Sequence, residues 1–506
     1  MPQSATRRKR LAPSEIEQSI RRFIEGCREP VLLEPGEKPI AIKPQGYSIE
    51  PRGDSCVLHA WGENGNLVRR ITAIAAQSPG KLELRARRFG GEELTLALLD
   101  AACKAGSLQR QVGPGQFRER LRRILAREFS EWTIEHLAAS PDLGRSLSGL
   151  YTRGVLRRGH HVWALIGAPA DAGAAVCNQI LTFGLIWLDQ VRRRQLRDVV
   201  SGLRIFLPHA HIRATANRVA FLRRGKLRFC VHEFDAKGNT AALDERDFGN
   251  LNTELLPCRP PAEMAEPVAA CVRGLLEVAG VEAVFGMDGL LSLRVRGLPF
   301  ARAGSGVMTC GLDQQRPLIE EQLPRALTLA RELARWRSPN APDRLNPLYR
   351  KYPESWLESQ VRLDVRVIDP TLRAAPLYTH ALSIAGADRG IIDLLACDPH
   401  GRLTVIELKA SEDIHLPLQG LDYWLRVKWH LDRGEFQRQG YFPGIELSPQ
   451  PPRLLLVSPA VEFHPTTETL LGDFPPAVEV ERVGVSEDWR RELRVVFRKY
   501  GAGRLA

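Results

Sequence analysis

The spacing of apolar positions changes several times along the chain, and each change marks an element or a boundary. Ile16, Ile20, Phe23 and Ile24 recur at helical spacing, which predicts an amphipathic helix over 14–27. From 40 to 99, short alternating runs are punctuated by Arg-Gly-Asp, Glu-Asn-Gly-Asn and Pro-Gly, the pattern of a small antiparallel sheet. Helices are expected at 117–129 and 130–139. From 160 to 234 the order becomes strand, long helix, strand, helix, strand, which predicts an α/β domain. A mainly helical stretch then reaches Trp336 and includes LPRALTLARELARW. The phrase RSPNAPDRLNP, with prolines among polar turn formers, is the clearest boundary in the chain.

These readings give a multidomain α/β protein. A β-rich domain with flanking helices occupies 1–145, an α/β domain 146–258, a mainly helical connector 259–346, and a complete C-terminal domain 347–506. A length of 506 residues suits this division. The most apolar run, 174–188, is interrupted by Asn178 and Gln179 and followed by Asp189, so it is expected as a buried helix and not a membrane span.

Composition narrows the class further. A hydrophobic share of 44% with 26% charged residues excludes wholesale disorder. Nine cysteines, an odd number without any CxxC pair, argue against a disulfide framework or a zinc ribbon. The opening MPQSATRRKRL has no apolar stretch after its basic residues, unlike a secretory signal. A reducing cytoplasm is therefore expected, without a membrane partner. The net charge of +12 favours an anionic partner such as nucleic acid. Arg118, Arg120, Arg122, Arg123 and Arg127 crowd one predicted helix, where a solvated face is preferred over a phosphate track.

The segment RGIIDLLACDPHGRLTVIELKASEDIHLPLQGLDYWLRV carries the chemistry. Two apolar runs flank Asp398-Pro399-His400-Gly401-Arg402, whose residue types suit a type I turn closed by a left-handed glycine. If Asp398 pairs with Arg402, counting back along both strands sets Asp393 opposite Glu407. Lys409 then shares the face of Glu407. Two facing carboxylates repel, and a hard divalent cation such as Mg²⁺ or Mn²⁺ compensates them. Lys409 can position or activate the attacking water and counter developing charge. The triplet Asp235-Ala236-Lys237 has the same spacing but lies in a turn without an opposing acid, so it is read as solvated. An ordinary strand salt bridge is the plain alternative for Glu407 and Lys409; the opposing Asp393 and the apolar flanks weigh against it.

Asp393 followed by Glu407-Leu408-Lys409 resembles the signature of the PD-(D/E)xK nuclease superfamily. The surrounding residues resemble the subgroup that includes archaeal and actinobacterial mismatch endonucleases and some junction resolvases. The resemblance runs from Glu354 to about Val457, and Ile392 stands where the nominal motif has proline. It implies a restriction-endonuclease-like α/β core and metal-dependent hydrolysis of DNA, in repair, recombination or defence. Asp393, Glu407 and Lys409 would be catalytic. Asp393 and Glu407, with the Leu408 carbonyl, would hold the metal, and Glu354 or Glu358 on the first core helix would add an outer ligand. Gln419 and Tyr423, four apart, match a Gln-x-x-x-Tyr helix that approaches the site or the DNA backbone. Arg426, one turn on, and Arg389, before the hairpin, are candidate phosphate contacts. His400, His415 and His430 are read as solvated or structural. The motif does not separate DNA from RNA, and cutting both strands would suit a homodimer. The rival reading is a nucleic-acid-binding or regulatory protein that retains the fold without turnover.

Overall fold

A computed structural model describes residues 12–501, apart from 28, 35–39, 44–45, 53–54, 63–64, 79–80, 88–92, 101–113, 143–144, 171, 223–224, 226, 236, 245, 248–252, 262, 287, 305, 313–315, 345, 380–381 and 384–392. The chain is mixed α/β and divides into two compact units, Met1–Ala220 with Arg224–Asn250, and Phe221–Arg223 with Leu251–Ala506.

In the first unit the helix Pro13–Gly26 buries Ile16, Ile20 and Ile24, one turn apart, against a seven-stranded antiparallel sheet. A six-stranded sheet follows, with neighbouring strands in sequence order. Its strands His161–Gly167, Val199–Pro208 and Arg228–Phe234 run parallel, joined through the helices Ala174–Arg194 and Arg213–Ala220. Ala174–Arg194 is the expected buried helix, and its basic last turn complements the helix dipole. Among the described residues no helix is long and apolar enough to cross a membrane.

One expectation fails in this unit. Residues 130–139 contain the strand Thr133–Ala138, not a helix, paired along the edge with Thr152–Arg158. Thr133 and Ile134 are β-branched, and ladder bonding outweighs the weak helical spacing of so short a segment.

The second unit opens with a further departure. The expected helical connector over 259–346 holds a five-stranded antiparallel sheet between the helices Glu266–Leu276 and Leu323–Trp336. Strands Val281–Phe285, Leu291–Val295 and Leu298–Ala303 pair antiparallel in sequence order, and Arg296-Gly297, both at positive φ, turn the chain tightly between two of them. Cross-strand pairing around that tight turn decides for strands.

The C-terminal sheet has the order Leu394–Cys397, Leu403–Leu408, Arg453–Pro459, Glu479–Val485, Val495–Tyr500. The three central strands are parallel and the outer two antiparallel. Parallel pairing requires crossovers, supplied here by segments containing the helices Leu416–Asp432 and Thr467–Leu471. Leu403–Leu408 is buried at every position, as a strand covered on both faces must be. Trp356, Leu357 and Val361 of the helix Pro353–Leu363 pack into the core with Ile406, Leu408 and Leu455.

Candidate active site

The hairpin Leu394–Leu408 sets the base of the site. Leu394 pairs with Ile406 and Cys397 with Leu403, the register that the turn residues predict. Asp398 donates its N–H to the Arg402 carbonyl at 3.0 Å, and its Oδ1 accepts from His400 and Arg402 N–H at 2.8 and 2.9 Å. Gly401 has φ +74°, and a Cβ there would lie 1.9 Å from the Glu446 carbonyl oxygen, so only glycine closes this turn.

The ladder ends at Leu394 and Ile406, so Asp393 and Glu407 are the next residues beyond that last pair. The Leu408 N–H donates to Asp393 Oδ2 at 2.7 Å, which ties the first acid to the strand carrying the second. Glu407 is 2% exposed, and its Oε2 is buried without a hydrogen-bond donor. Lys409 Nζ lies 3.4 Å from Glu407 Oε1, 3.8 Å from Glu354 Oε1 and 4.0 Å from Asp413 Oδ2. One ammonium thus serves several acids.

The electrostatics follow from that ratio. Burial pushes the Glu407 carboxyl well above its ordinary range; Asp393 adds to the shift and Lys409 opposes it. Asp393 is raised by burial, against the pull of Lys409, the Leu408 N–H and the Glu407 carboxyl as a hydrogen-bond partner. Burial works against the Lys409 ammonium, but Glu354, Glu407, Asp413 and Asp393 outweigh it and hold its pKa well above the usual lysine value. Lys409 is therefore charged at neutral pH.

The helix Pro353–Leu363 separates its two candidates. Glu354 reaches Lys409; desolvation raises its carboxyl, though with 45% of the side chain exposed the push is weaker than on Glu407. Glu358, one turn on, is buried and stands 3.9 Å from an Arg294 nitrogen. Burial chiefly, with Asp393 assisting against Arg294, lifts it to about 7. Glu354 is the acid beside the catalytic lysine candidate; Glu358 belongs to an arginine pair.

The helix Leu416–Asp432 covers the other side. Burial raises the Tyr423 phenol well above its ordinary value, and Glu407 and Asp393 are the next causes, so this side chain stands within the field of the carboxylates. Gln419 precedes it by one turn, with Oε1 buried and without a donor. Arg426 is a correction: it is 3% exposed and bonded to Asp422 at 3.2 Å, an internal ion pair with no surface to offer a phosphate. Arg389 lies outside the described residues. His400 sits at the turn tip, His415 is buried, and His430 bonds Thr253 Oγ1 at 3.0 Å. Asp413 joins the site unforeseen. Its only signal was its place four residues after Lys409.

Elsewhere, Asp235 Oδ1 accepts from Lys237 and Asn239 N–H, and Asp235 and Lys237 are both exposed, as expected. Arg120 and Arg127 bond the carbonyls of Asp235 and Gly238, while Arg118 and Arg122 pair with Glu119.

Among the described residues no group of three or more His, Cys, Asp or Glu side chains is placed to hold a metal ion. What the chain offers is the Asp393–Glu407 pair, with the Glu407 oxygen that receives no donor and the adjoining Leu408 carbonyl. That donor set is all oxygen, and it fits a hard cation that binds one or two carboxylates and completes its shell with water or phosphate. No protein-family model, no curated protein and no solved structure matches this chain.

Proposed function

We propose that the C-terminal domain is a restriction-endonuclease-like core and that the protein is a metal-dependent nuclease hydrolysing phosphodiester bonds of DNA. The observation that carries this reading is the half-buried Asp393, bonded to the Leu408 N–H, brought to the buried Glu407, with the Lys409 ammonium 3.4 Å from Glu407. A purely structural salt bridge needs one acid, and here Lys409 lies in the field of four, Glu354, Glu407, Asp413 and Asp393. Asp393, Glu407 and the Leu408 carbonyl would hold Mg²⁺ or Mn²⁺. The cation would polarise a phosphoryl oxygen and stabilise charge that develops on it.

The chain's own residues do the rest. Lys409, held as an ammonium, orients the attacking water in line with the leaving oxygen and offsets charge on the phosphoryl group. Tyr423 and Gln419 line the approach. A new P–O bond forms as the bond to the leaving oxygen breaks. One water proton ends on the leaving hydroxyl, and the other on the phosphomonoester or solvent.

The test is incubation of the full chain with circular, linear, mismatched and branched DNA, and with RNA, in Mg²⁺, Mn²⁺ or EDTA. Metal-dependent cutting that Asp393→Ala or Lys409→Ala removes, while binding persists, is expected. Cutting unaltered in both variants refutes the assignment of residues. Binding without cutting by the parent favours a non-catalytic role.

A further inference from the structure

The five-stranded antiparallel sheet before the C-terminal domain has two unlike faces. Leu291, Leu293, Val295, Leu298, Phe300 and Ala303 pack with the flanking helices into one core. The intervening positions carry Glu282, Ser292, Arg294 and Arg302. Arg294 Nε reaches Ser292 Oγ at 3.3 Å, and Ser292 pairs across the ladder with Arg302, so these side chains share the second face. The register shifts between Leu293 and Arg294, a bulge of the kind that re-aims a side chain.

That face looks toward the helix of Glu354 and Glu358. Gly297, at the turn, comes so near that a Cβ would lie 1.8 Å from the Ser355 carbonyl oxygen. Arg294 stands 3.9 Å from Glu358 Oε1. Arg362, one turn further along the helix, lies in the field of both, and its buried Nη1 has no hydrogen-bond partner. Arg302 is exposed and also lies in the field of Arg294. Opposing these three cations are Glu358 and Glu282, and Glu282 Oε1 already accepts the Gly297 N–H at 2.7 Å. A cluster of like charges is costly to assemble and is relieved by a polyanion. The neighbouring carboxylates repel a phosphodiester strand, so something beside them must attract it. Guanidinium groups match phosphate oxygens bidentately.

We infer that this sheet is a strand-holding module: Arg294, Arg302 and Arg362 grip the phosphodiester backbone of a nucleic-acid strand beside the phosphate presented to Asp393 and Glu407. The inference rests on the nuclease reading for the identity of that phosphate.

Fluorescence anisotropy of labelled duplex DNA, single-stranded DNA and RNA, in EDTA and across a salt series, tests it with the full chain. Each phosphate contact contributes about 0.9 to the slope of log affinity on log salt for duplex, and about 0.7 for single strands. Arg302→Ala should lower the slope by about one contact and Arg294→Gln/Arg302→Ala by about two, across all sequences. Arg302→Glu, at an exposed position, should weaken binding further and serves if the double variant misfolds. Slopes and affinities equal to the parent's overturn the inference, as does a parent that binds none of the three probes. Arginine-dependent binding by a parent that never cuts supports the strand-holding face while removing the catalytic reading. Cutting with arginine-independent binding does the reverse.

Discussion

The Leu408 N–H donates to Asp393 Oδ2 at 2.7 Å, which binds an acid just outside the ladder to the strand that carries Glu407 and Lys409. Asp393 therefore does two things, accepting a hydrogen bond and supplying charge. Asn keeps the first and loses the second. Asp393→Asn should fold with the hairpin amides as slow to exchange as in the parent, yet lose Mn²⁺ binding. Asp393→Ala should lose both and leave the Leu408 N–H without its acceptor, at a cost of about 1–3 kcal/mol. Equal metal binding by the Asn variant and the parent would contradict the charge role.

The raised carboxyls make metal binding depend on pH. Glu407 and Asp393 both hold protons above their ordinary range, and a cation binds the ionised forms. Affinity should rise as pH climbs through those raised values and level off above them. Calorimetry in buffers of different ionisation enthalpy should detect protons released on binding, with fewer released as pH rises. Proton uptake would give the shifts the wrong sign.

Glu358 gives the same logic in stability. Its carboxyl moves from an ordinary 4.5 to about 7, so folding favours the protonated form. The benefit is complete below 4.5 and is lost as pH rises through about 7, worth roughly 3 kcal/mol at about 1.4 per unit. Amide exchange in Pro353–Leu363 should accelerate in the metal-free protein between pH 5 and 8, beyond the intrinsic dependence on pH. Glu358→Gln should flatten that excess. An excess of equal size in the variant would assign it to another group.

Removing the ammonium separates catalysis from packing. Lys409→Met takes a cation from among Glu354, Glu407, Asp413 and Asp393, leaving the pocket more negative. Mn²⁺ affinity should hold or tighten while the cutting rate falls about 10²-fold or more. Lost metal affinity together with lost rate would reduce Lys409 to a structural partner.

The hairpin and its register were legible because everything that fixes them is local: the Asp398-to-Arg402 turn, its glycine, and two apolar runs of matching length. The strands 281–303 were not, since stretches as short as LSLRV owe their form to pairing with neighbouring strands and not to a local period. The choice between Glu354 and Glu358 waits on Lys409 and Arg294, which lie far from the helix in sequence and reach it only through the fold. Arg426 misled for a similar reason. One turn past Tyr423 it suits a phosphate contact, but the helix Leu416–Asp432 is buried on several sides and Asp422 neutralises the arginine internally. Arg426→Ala should accordingly cost roughly 3–5 kcal/mol of stability and leave the salt slope of DNA binding unchanged.

The most direct test is a calorimetric titration of Mn²⁺ into the parent and Glu407→Gln. Glu407 places a buried, donorless oxygen beside Asp393, and the glutamine keeps its shape while removing its charge. A saturable binding event in the parent that disappears in the folded variant is the predicted result. A parent that binds no Mn²⁺, or a variant that binds it equally well, would contradict the site.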